Sequence, residues 1–242
     1  MTSLVDPQAH IDVHSHAVLL RGKQRDIYFL SAAEGLATDD GTPVVLKVPR
    51  YAERQRRQVW YKRILRSFFP SSTHRIITKE ADYWQRLSLS AQKKGIMPPI
   101  PEFVGYVTTT AGRGAVWEAI CDPDGTLAPT VADMAARQEL HAQIAPLNRF
   151  VQRCFDEHIV APDVHLGNLA CTWKNGDLEL VLIDGFGDHR MISVRALWPA
   201  YNRRSLIRSF ERIASKFDVH FDLETRQFSL AEDVGAQPKA SA

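Results

Sequence analysis

Residues 159–188 read IVAPDVHLGNLACTWKNGDLELVLIDGFGD, and this stretch predicts more of the fold than any other part of the chain. Two strand-like runs flank Asn175-Gly176, which is the strongest short-range signal for a two-residue β-hairpin. A turn of this type sets the register of the hairpin and places Asn168 opposite Ile183. We therefore expect the loop that precedes the first strand and the segment that begins at Asp184 to lie side by side.

The residues that this hairpin brings together are suited to phosphate chemistry. Asn168 and Asp184 offer an amide and a carboxylate oxygen, ligands that suit Mg²⁺ when its other positions are left for phosphate and water. Asp163 precedes Asn168 with the spacing D-x-x-x-x-N, and a segment similar to Asp-Phe-Gly follows, as in phosphotransferases. In that arrangement Asp163 accepts the proton of the attacking hydroxyl, and Asn168 and Asp184 bind the metal.

The composition is that of a globular protein. The chain has 242 residues, of which 45% are hydrophobic and 24% charged, and this length favours one large domain or two closely packed lobes. Its three cysteines form no C-x-x-C pair, which argues against a disulfide framework or a zinc site. Because the sequence shows neither a membrane-spanning apolar run nor a signal peptide, we expect a cytoplasmic protein.

Turn residues divide the chain near CDPDG at 121–125. Before this turn the pattern predicts an antiparallel sheet and one helix that ends near Gly95. After it the pattern predicts helices with a kink at Pro146, the Asn-Gly hairpin, and a last helix over roughly residues 196–217. The predicted strands comprise residues 16–20, 26–30 and 43–48, followed by EFVGYVT and GAVWEAIC.

Several of these segments resemble known kinase-like proteins. PDVHLGN and IDGFG resemble the catalytic and metal-binding loops of small-molecule kinases of the aminoglycoside phosphotransferase type. More closely, the chain resembles the YrbL family, kinase-like proteins named for the PhoP regulatory network, over roughly residues 14–216. The segments that carry this likeness are EFVGYVTTTAGRGAVWEAICDPDGTL, IVAPDVHLGNLAC, VLIDGFGD and WPAYNRRSLIRSFERI.

The resemblance implies an α+β class and a compact, two-lobed protein-kinase-like fold. Residues 1–121 would form an antiparallel-sheet N-lobe that binds nucleotide, and residues 122–230 a short, mainly helical C-lobe with the catalytic loop and the metal-loop hairpin. Residues 231–242 are expected to form a disordered tail.

The same resemblance assigns the N-lobe residues of a site for ATP and Mg²⁺. Lys47 ends the strand VVLK and is similar to the lysine that holds the α- and β-phosphates, with Glu80 on the apolar helix face as its ion-pair partner. The hinge whose backbone would bind adenine corresponds to Glu118, Ala119, Ile120 and Cys121. Gly22 would lie in the loop that covers the phosphates.

Two functions follow from this comparison. The first is a kinase that transfers the γ-phosphate of ATP to a hydroxyl of a small molecule or a lipid-borne sugar. The second is a pseudokinase that binds nucleotide and acts as a regulatory or scaffold protein. The single glycine of the phosphate loop, Gly22, favours the pseudokinase, whereas the complete set Lys47, Asp163, Asn168 and Asp184 favours catalysis.

A remote alternative is a metal-dependent amidohydrolase. Asp12-Val13-His14-Ser15-His16 is close to the D-x-H-x-H motif that opens such barrels. Further ligands for this reading would be His74, His141, His158 and His165. The Asn-Gly hairpin breaks the strand-helix alternation that a barrel requires.

Two basic clusters leave room for an anionic partner. Residues 50–66 hold seven Lys and Arg against one acid, and most such windows are solvated helix faces. The second cluster comprises Arg195, Arg203, Arg204, Arg208 and Arg212. An anionic lipid or a phosphorylated saccharide fits a kinase better than nucleic acid does, which leaves peripheral membrane association through residues 50–66 as an alternative.

Overall fold

The computed structural model describes residues 10–22, 25–31, 41–50, 74–174, 176–187 and 198–230. The basic window at 50–66, apart from Arg50, lies outside these residues, as do Arg195 and the predicted tail at 231–242. No helix in the described ranges is long and apolar enough to cross a membrane.

The chain forms two compact units. The first comprises residues 1–85 and 101–119, and the second comprises residues 86–100 and 120–242. One large sheet, two small hairpin sheets and several helices confirm the predicted α+β class, and this composition is compatible with a two-lobed kinase-like fold.

The first unit is built around a six-stranded sheet with the strand order β1-β5-β6-β4-β3-β2. Its strands are β1 (His10–Ile11), β2 (Leu20–Arg21), β3 (Arg25–Leu30), β4 (Val44–Pro49), β5 (Phe103–Thr109) and β6 (Gly112–Glu118). Neighbouring strands are antiparallel except for the short β1, which pairs with β5 in parallel. The strand predicted over residues 16–20 is therefore wrong in extent, since β2 holds only the last of them.

The two faces of this sheet differ in character. One carries an apolar cluster in which Tyr28 pairs with Leu46, and Leu46 with Val116. Because side chains alternate along a strand, Lys47 points to the opposite face, where it lies between its register partners Ile27 and Ala115.

The helix α1 (His74–Gln92) follows the predicted periodicity. Ile77, Ala81 and Ala91 are buried, which accounts for their spacing along the sequence. The helix ends as expected before Gly95, whose φ of +67° suits glycine and whose N–H donates to the Gln92 carbonyl.

The second unit contains the helices α2 (Val131–Ala136), α3 (Leu140–Asp156) and α4 (Pro199–Ala214). Pro146 lies buried inside α3, which continues past it to Asp156, and a kink at this residue stays a prediction. The helical run breaks between α2 and α3, where Gln138 adopts a φ of +62°. Packing of the apolar face of α3 outweighs the local preference of proline.

The Asn-Gly hairpin has the predicted register. Its strands β7 (Leu169–Lys174) and β8 (Asp177–Leu182) pair from Leu169 opposite Leu182 to Lys174 opposite Asp177. Gly176 has a φ of +86°, the left-handed conformation that this turn demands.

A second hairpin of this unit was not predicted. It consists of β9 (Val219–Asp222) and β10 (Gln227–Leu230). The Asn148 side chain on α3 binds both backbone groups of Phe228, at 2.9 and 2.6 Å. Phe228 also stacks on Phe221 with 4.8 Å between ring centroids, so this hairpin completes the apolar core beside α3 and α4.

Candidate functional site

The catalytic-loop candidates of the second unit lie on two segments joined by backbone hydrogen bonds. Leu166–Asn168 form a 3-10 turn that leads directly into β7, and Asp184 follows the end of β8. The Ile183 N–H donates to the Asn168 carbonyl at 2.9 Å. The Gly187 N–H donates to the Val160 carbonyl at 2.7 Å. The predicted proximity of the two segments is therefore confirmed.

The two segments also approach closely at Gly185. Its φ is +79°, and a Cβ atom added there would lie 2.6 Å from the Asp163 carbonyl oxygen and 3.2 Å from Nδ2 of Asn168. Gly185 is an extra residue between Asp184 and Phe186 when the segment is compared with Asp-Phe-Gly. Its close approach to the Asp163 backbone explains why it is glycine, because a larger residue would displace the loop that carries Asp163.

The Asn168 amide has a defined orientation. Its Nδ2 donates to the Asp163 carbonyl at 3.2 Å, so Oδ1 is the group left to act as an acceptor or metal ligand. One Asp184 oxygen accepts the Gly185 N–H at 2.6 Å.

These oxygens fit Mg²⁺, a hard cation usually held by one or two protein ligands together with phosphates and water. Among the described residues, no group of three or more His, Cys, Asp or Glu side chains is placed to hold a metal ion alone. Metal binding by Asn168 and Asp184 therefore stays a prediction, in which phosphate oxygens and water would complete the ligand set.

Asp163 itself is accessible. Its side chain is 66% exposed, although the neighbouring Val164 and Leu166 are buried and anchor the loop in the core. An Nη atom of Arg212 on α4 lies 4.0 Å from its carboxylate. The carboxylate can therefore meet a hydroxyl from solvent, next to a positive charge.

The N-lobe candidates Lys47 and Glu80 belong to the first unit, and both are buried, with exposures of 3% and 1%. Glu80 accepts two hydrogen bonds of 2.8 Å from one guanidinium nitrogen of Arg25. Arg25 lies two residues before Ile27, the register partner of Lys47, so Arg25 and Lys47 share one face of the sheet.

Glu80 is consequently bound over the sheet face that carries Lys47. The Lys47 ammonium also lies 5.2 Å from the centroid of the Trp117 ring, within range of a cation-π interaction. The specific Lys47–Glu80 ion pair remains a prediction.

The predicted hinge contains one of the three points at which the chain passes from one unit to the other, between Ala119 and Ile120. The Ala119 N–H donates to Pro43, and the Ile120 carbonyl accepts from Ala128. Glu118 uses its side chain to accept the Glu102 N–H at 3.0 Å. The Cys121 backbone forms an isolated bridge with Leu127. Adenine binding by this segment remains a prediction.

Gly22 lies at the turn between β2 and β3. Its N–H donates to the Arg25 carbonyl at 2.9 Å, and its own carbonyl accepts from Arg50 at 3.2 Å. The Gly22 amide therefore closes the turn in this structure instead of pointing to a ligand.

The amidohydrolase alternative is wrong. The sheet of the described residues is antiparallel apart from β1, whereas the barrel requires parallel strands that alternate with helices. Val13–Ser15 form a 3-10 turn, and the Asp12 carboxylate caps it by accepting the His14 N–H at 3.1 Å. This hydrogen bond holds the pKa of Asp12 below its usual value.

Two residues of the site were not found from the sequence. Arg25 could have been identified only with the register of β3 on β4, which the sequence between these strands does not define. The sequence places Arg212 in the second basic cluster. It gives no signal that Arg212 lies beside Asp163, because this contact joins segments that are far apart along the chain. In both cases the tertiary structure supplies the partner.

Comparison with known proteins agrees with the sequence resemblance. No match was found among curated proteins. Residues 11–218 match the family described as PhoP regulatory network protein YrbL. Since this match covers most of the described strands and helices, including Asp163, Asn168 and Asp184, the chain belongs to the YrbL family of PhoP regulatory network proteins.

Proposed function

We propose that this protein binds ATP with Mg²⁺ and transfers the γ-phosphate to a hydroxyl group of a small molecule or a lipid-linked sugar. The observation that carries the proposal is the close packing of Asp163, Asn168 and the Asp184–Gly185 turn in the second unit. The spacing of these residues along the chain is that of phosphotransferases.

Each residue has a defined part in this reaction. Asp163 accepts the proton of the acceptor hydroxyl, and the hydroxyl oxygen forms a bond to the γ-phosphorus while the bond from this phosphorus to the bridging oxygen of ADP breaks. Asn168 and Asp184 would hold Mg²⁺, which neutralises phosphate charge when bound. Lys47 neutralises the α- and β-phosphates, and the hinge at Glu118–Cys121 orients adenine.

The binding step can be tested by thermal unfolding. A ligand bound only by the folded protein at one hundred times its Kd stabilises it by about 2.7 kcal/mol, which in a chain of this size raises Tm by about 5–11 °C. We expect this shift with ATP and Mg²⁺ together and a smaller one with ATP alone. No shift with ATP and either Mg²⁺ or Mn²⁺ would refute nucleotide binding.

The transfer step requires a variant that separates chemistry from binding. Asp163→Asn should abolish slow ATP hydrolysis while it preserves the shift in Tm, because the amide cannot accept the proton. Asp184→Asn should instead reduce the Mg²⁺-dependent part of the shift. Asp177→Asn is a matched control, since it removes an exposed carboxylate at the start of β8.

A regulatory pseudokinase is the second candidate, and the Gly22 turn favours it. The N–H of the only glycine in the phosphate loop is already bonded to the Arg25 carbonyl, which leaves one amide fewer for phosphate. A shift in Tm with ATP and Mg²⁺, combined with no hydrolysis above that of Asp163→Asn, would support this function over the kinase.

A further inference from the structure

The surface next to Asp163 carries positive charge on the exposed side of α4. Arg212 is 50% exposed, and its guanidinium lies 4.0 Å from the Asp163 carboxylate. A hydrogen bond requires a shorter distance, so this contact leaves the N–H groups of the guanidinium available to another oxygen. Within the described part of the chain, the Arg212 side chain forms no other ion pair or hydrogen bond.

A second arginine extends this surface. Arg208 lies one helical turn before Arg212, about 6 Å along the axis, and is exposed on the same side of α4. Its Nε donates to the Arg204 carbonyl at 3.2 Å, which directs the side chain back along the helix. Both side chains therefore face solvent at one edge of the buried face formed by residues such as Ser205 and Ser209, and Arg212 is the one that lies against Asp163.

We infer that Arg212, assisted by Arg208, binds a phosphate group of the acceptor, so that the substrate hydroxyl presented to Asp163 belongs to a phosphorylated molecule. This inference rests on the proposed phosphotransfer for the acceptor and for the role of Asp163, whereas phosphate binding at Arg212 can be measured without that reaction.

The distances support an acceptor of this kind. With 4.0 Å between the guanidinium and the carboxylate, a hydroxyl within hydrogen-bond reach of Asp163 and a phosphate oxygen within reach of Arg212 lie at most about 10 Å apart. This limit accommodates a hydroxyl and a phosphate on nearby carbons of one small molecule. A guanidinium matches phosphate with paired hydrogen bonds, and here it also offsets the repulsion between the acceptor's phosphate and the Asp163 carboxylate.

The test measures anion binding at the arginines directly and needs no turnover. Protein labelled with ¹⁵N-arginine is titrated with glycerol 3-phosphate, and the Nε–Hε signals are followed by NMR, with glycerol as the neutral probe. The signal missing from Arg212→Gln identifies Arg212. We expect this signal to shift saturably with glycerol 3-phosphate and not with glycerol.

Variants define the site. Arg212→Gln should weaken binding, followed through the Arg208 signal, about tenfold, and Arg208→Gln should weaken it about threefold. Asp163→Asn should tighten binding by roughly threefold, because a nearby negative charge is removed. Arg203→Gln is the matched control and should change nothing, since Arg203 lies on the opposite edge of the buried face of the same helix, near its start.

The outcomes separate this inference from the proposed function. An Arg212 signal that does not saturate, or an affinity unaltered by Arg212→Gln or Asp163→Asn, overturns the inference even if ATP and Mg²⁺ stabilise the protein. Saturable binding at Arg212 in a protein that shows no shift in Tm with ATP and Mg²⁺ would support the phosphate site and refute the kinase.

Discussion

Replacing Gly185 with alanine tests the contact that holds the two loops of the candidate site together. The substitution has two costs. An L-residue at the φ of +79° observed for Gly185 costs about 1–2 kcal/mol. The new Cβ atom would also lie 2.6 Å from the Asp163 carbonyl oxygen, and relieving this overlap by a backbone shift costs about 1–3 kcal/mol more.

The chain provides a matched control for the first cost. Gly176 has a φ of +86°, nearly that of Gly185, but an added Cβ would meet nothing within 4 Å. Gly176→Ala therefore measures the backbone conformation alone, and the difference between the two variants measures the contact with Asp163. We expect Gly185→Ala to be the less stable variant by about 1–3 kcal/mol.

Thermal unfolding followed by circular dichroism measures this difference. For a chain of this size each kcal/mol lowers Tm by about 2–4 °C, so the two variants should differ by roughly 2–12 °C. Equal Tm values would mean that Gly185 does not press on the catalytic loop, and this result would refute the argument that the extra glycine holds Asp163 beside Asp184.

Three further predictions concern buried charge, thiol ionisation and a helix cap. Glu80→Ala should lower the free energy of unfolding by about 3 kcal/mol in urea titrations, because it leaves the Arg25 guanidinium without its buried carboxylate, and a loss below 1 kcal/mol would contradict a strong pair. Burial raises the pKa of the Cys171 thiol to about 11 from an ordinary value of 9.0. The neutral thiol therefore contributes fully to stability below pH 9, and this contribution is lost as the pH rises towards 11. Cys171→Ala should flatten this part of the plot of unfolding free energy against pH. The Thr130 hydrogen bonds hold the pKa of Asp133 below its ordinary value of 3.8, so the stability from this helix cap is lost as the pH falls below 3.8. Thr130→Ala should lower the free energy of unfolding by about 1 kcal/mol at neutral pH and by less in acid.

The local features of the site could be predicted because they depend on short-range rules. The Asn-Gly turn sets the pairing of β7 and β8 by its own geometry, and from this pairing the proximity of Asn168 and Asp184 follows without further information. The helix α1 and its end before Gly95 were equally accessible, since they depend on apolar spacing and on a residue that tolerates a positive φ.

Other features could not be predicted, because competing interactions decide them. Pro146 stays inside α3 since the helix buries an apolar face against the rest of the second unit, which outweighs the missing backbone hydrogen bond. The hairpin of β9 and β10 has no Asn-Gly turn. It is held by the Asn148 side chain and by the packing of Phe221 and Phe228, contacts made with distant residues.

The sequence by itself determined the α+β class, the family resemblance, the register of one hairpin and the set of residues that carry the proposed chemistry. Tertiary structure alone decided which charge two of these residues meet: Arg25 binds Glu80, and Arg212 lies beside Asp163. The physical reason is range. Turn chemistry and helical periodicity act over a few residues and are visible as patterns, whereas an ion pair depends only on distance in space and leaves no trace in the spacing of its partners along the chain.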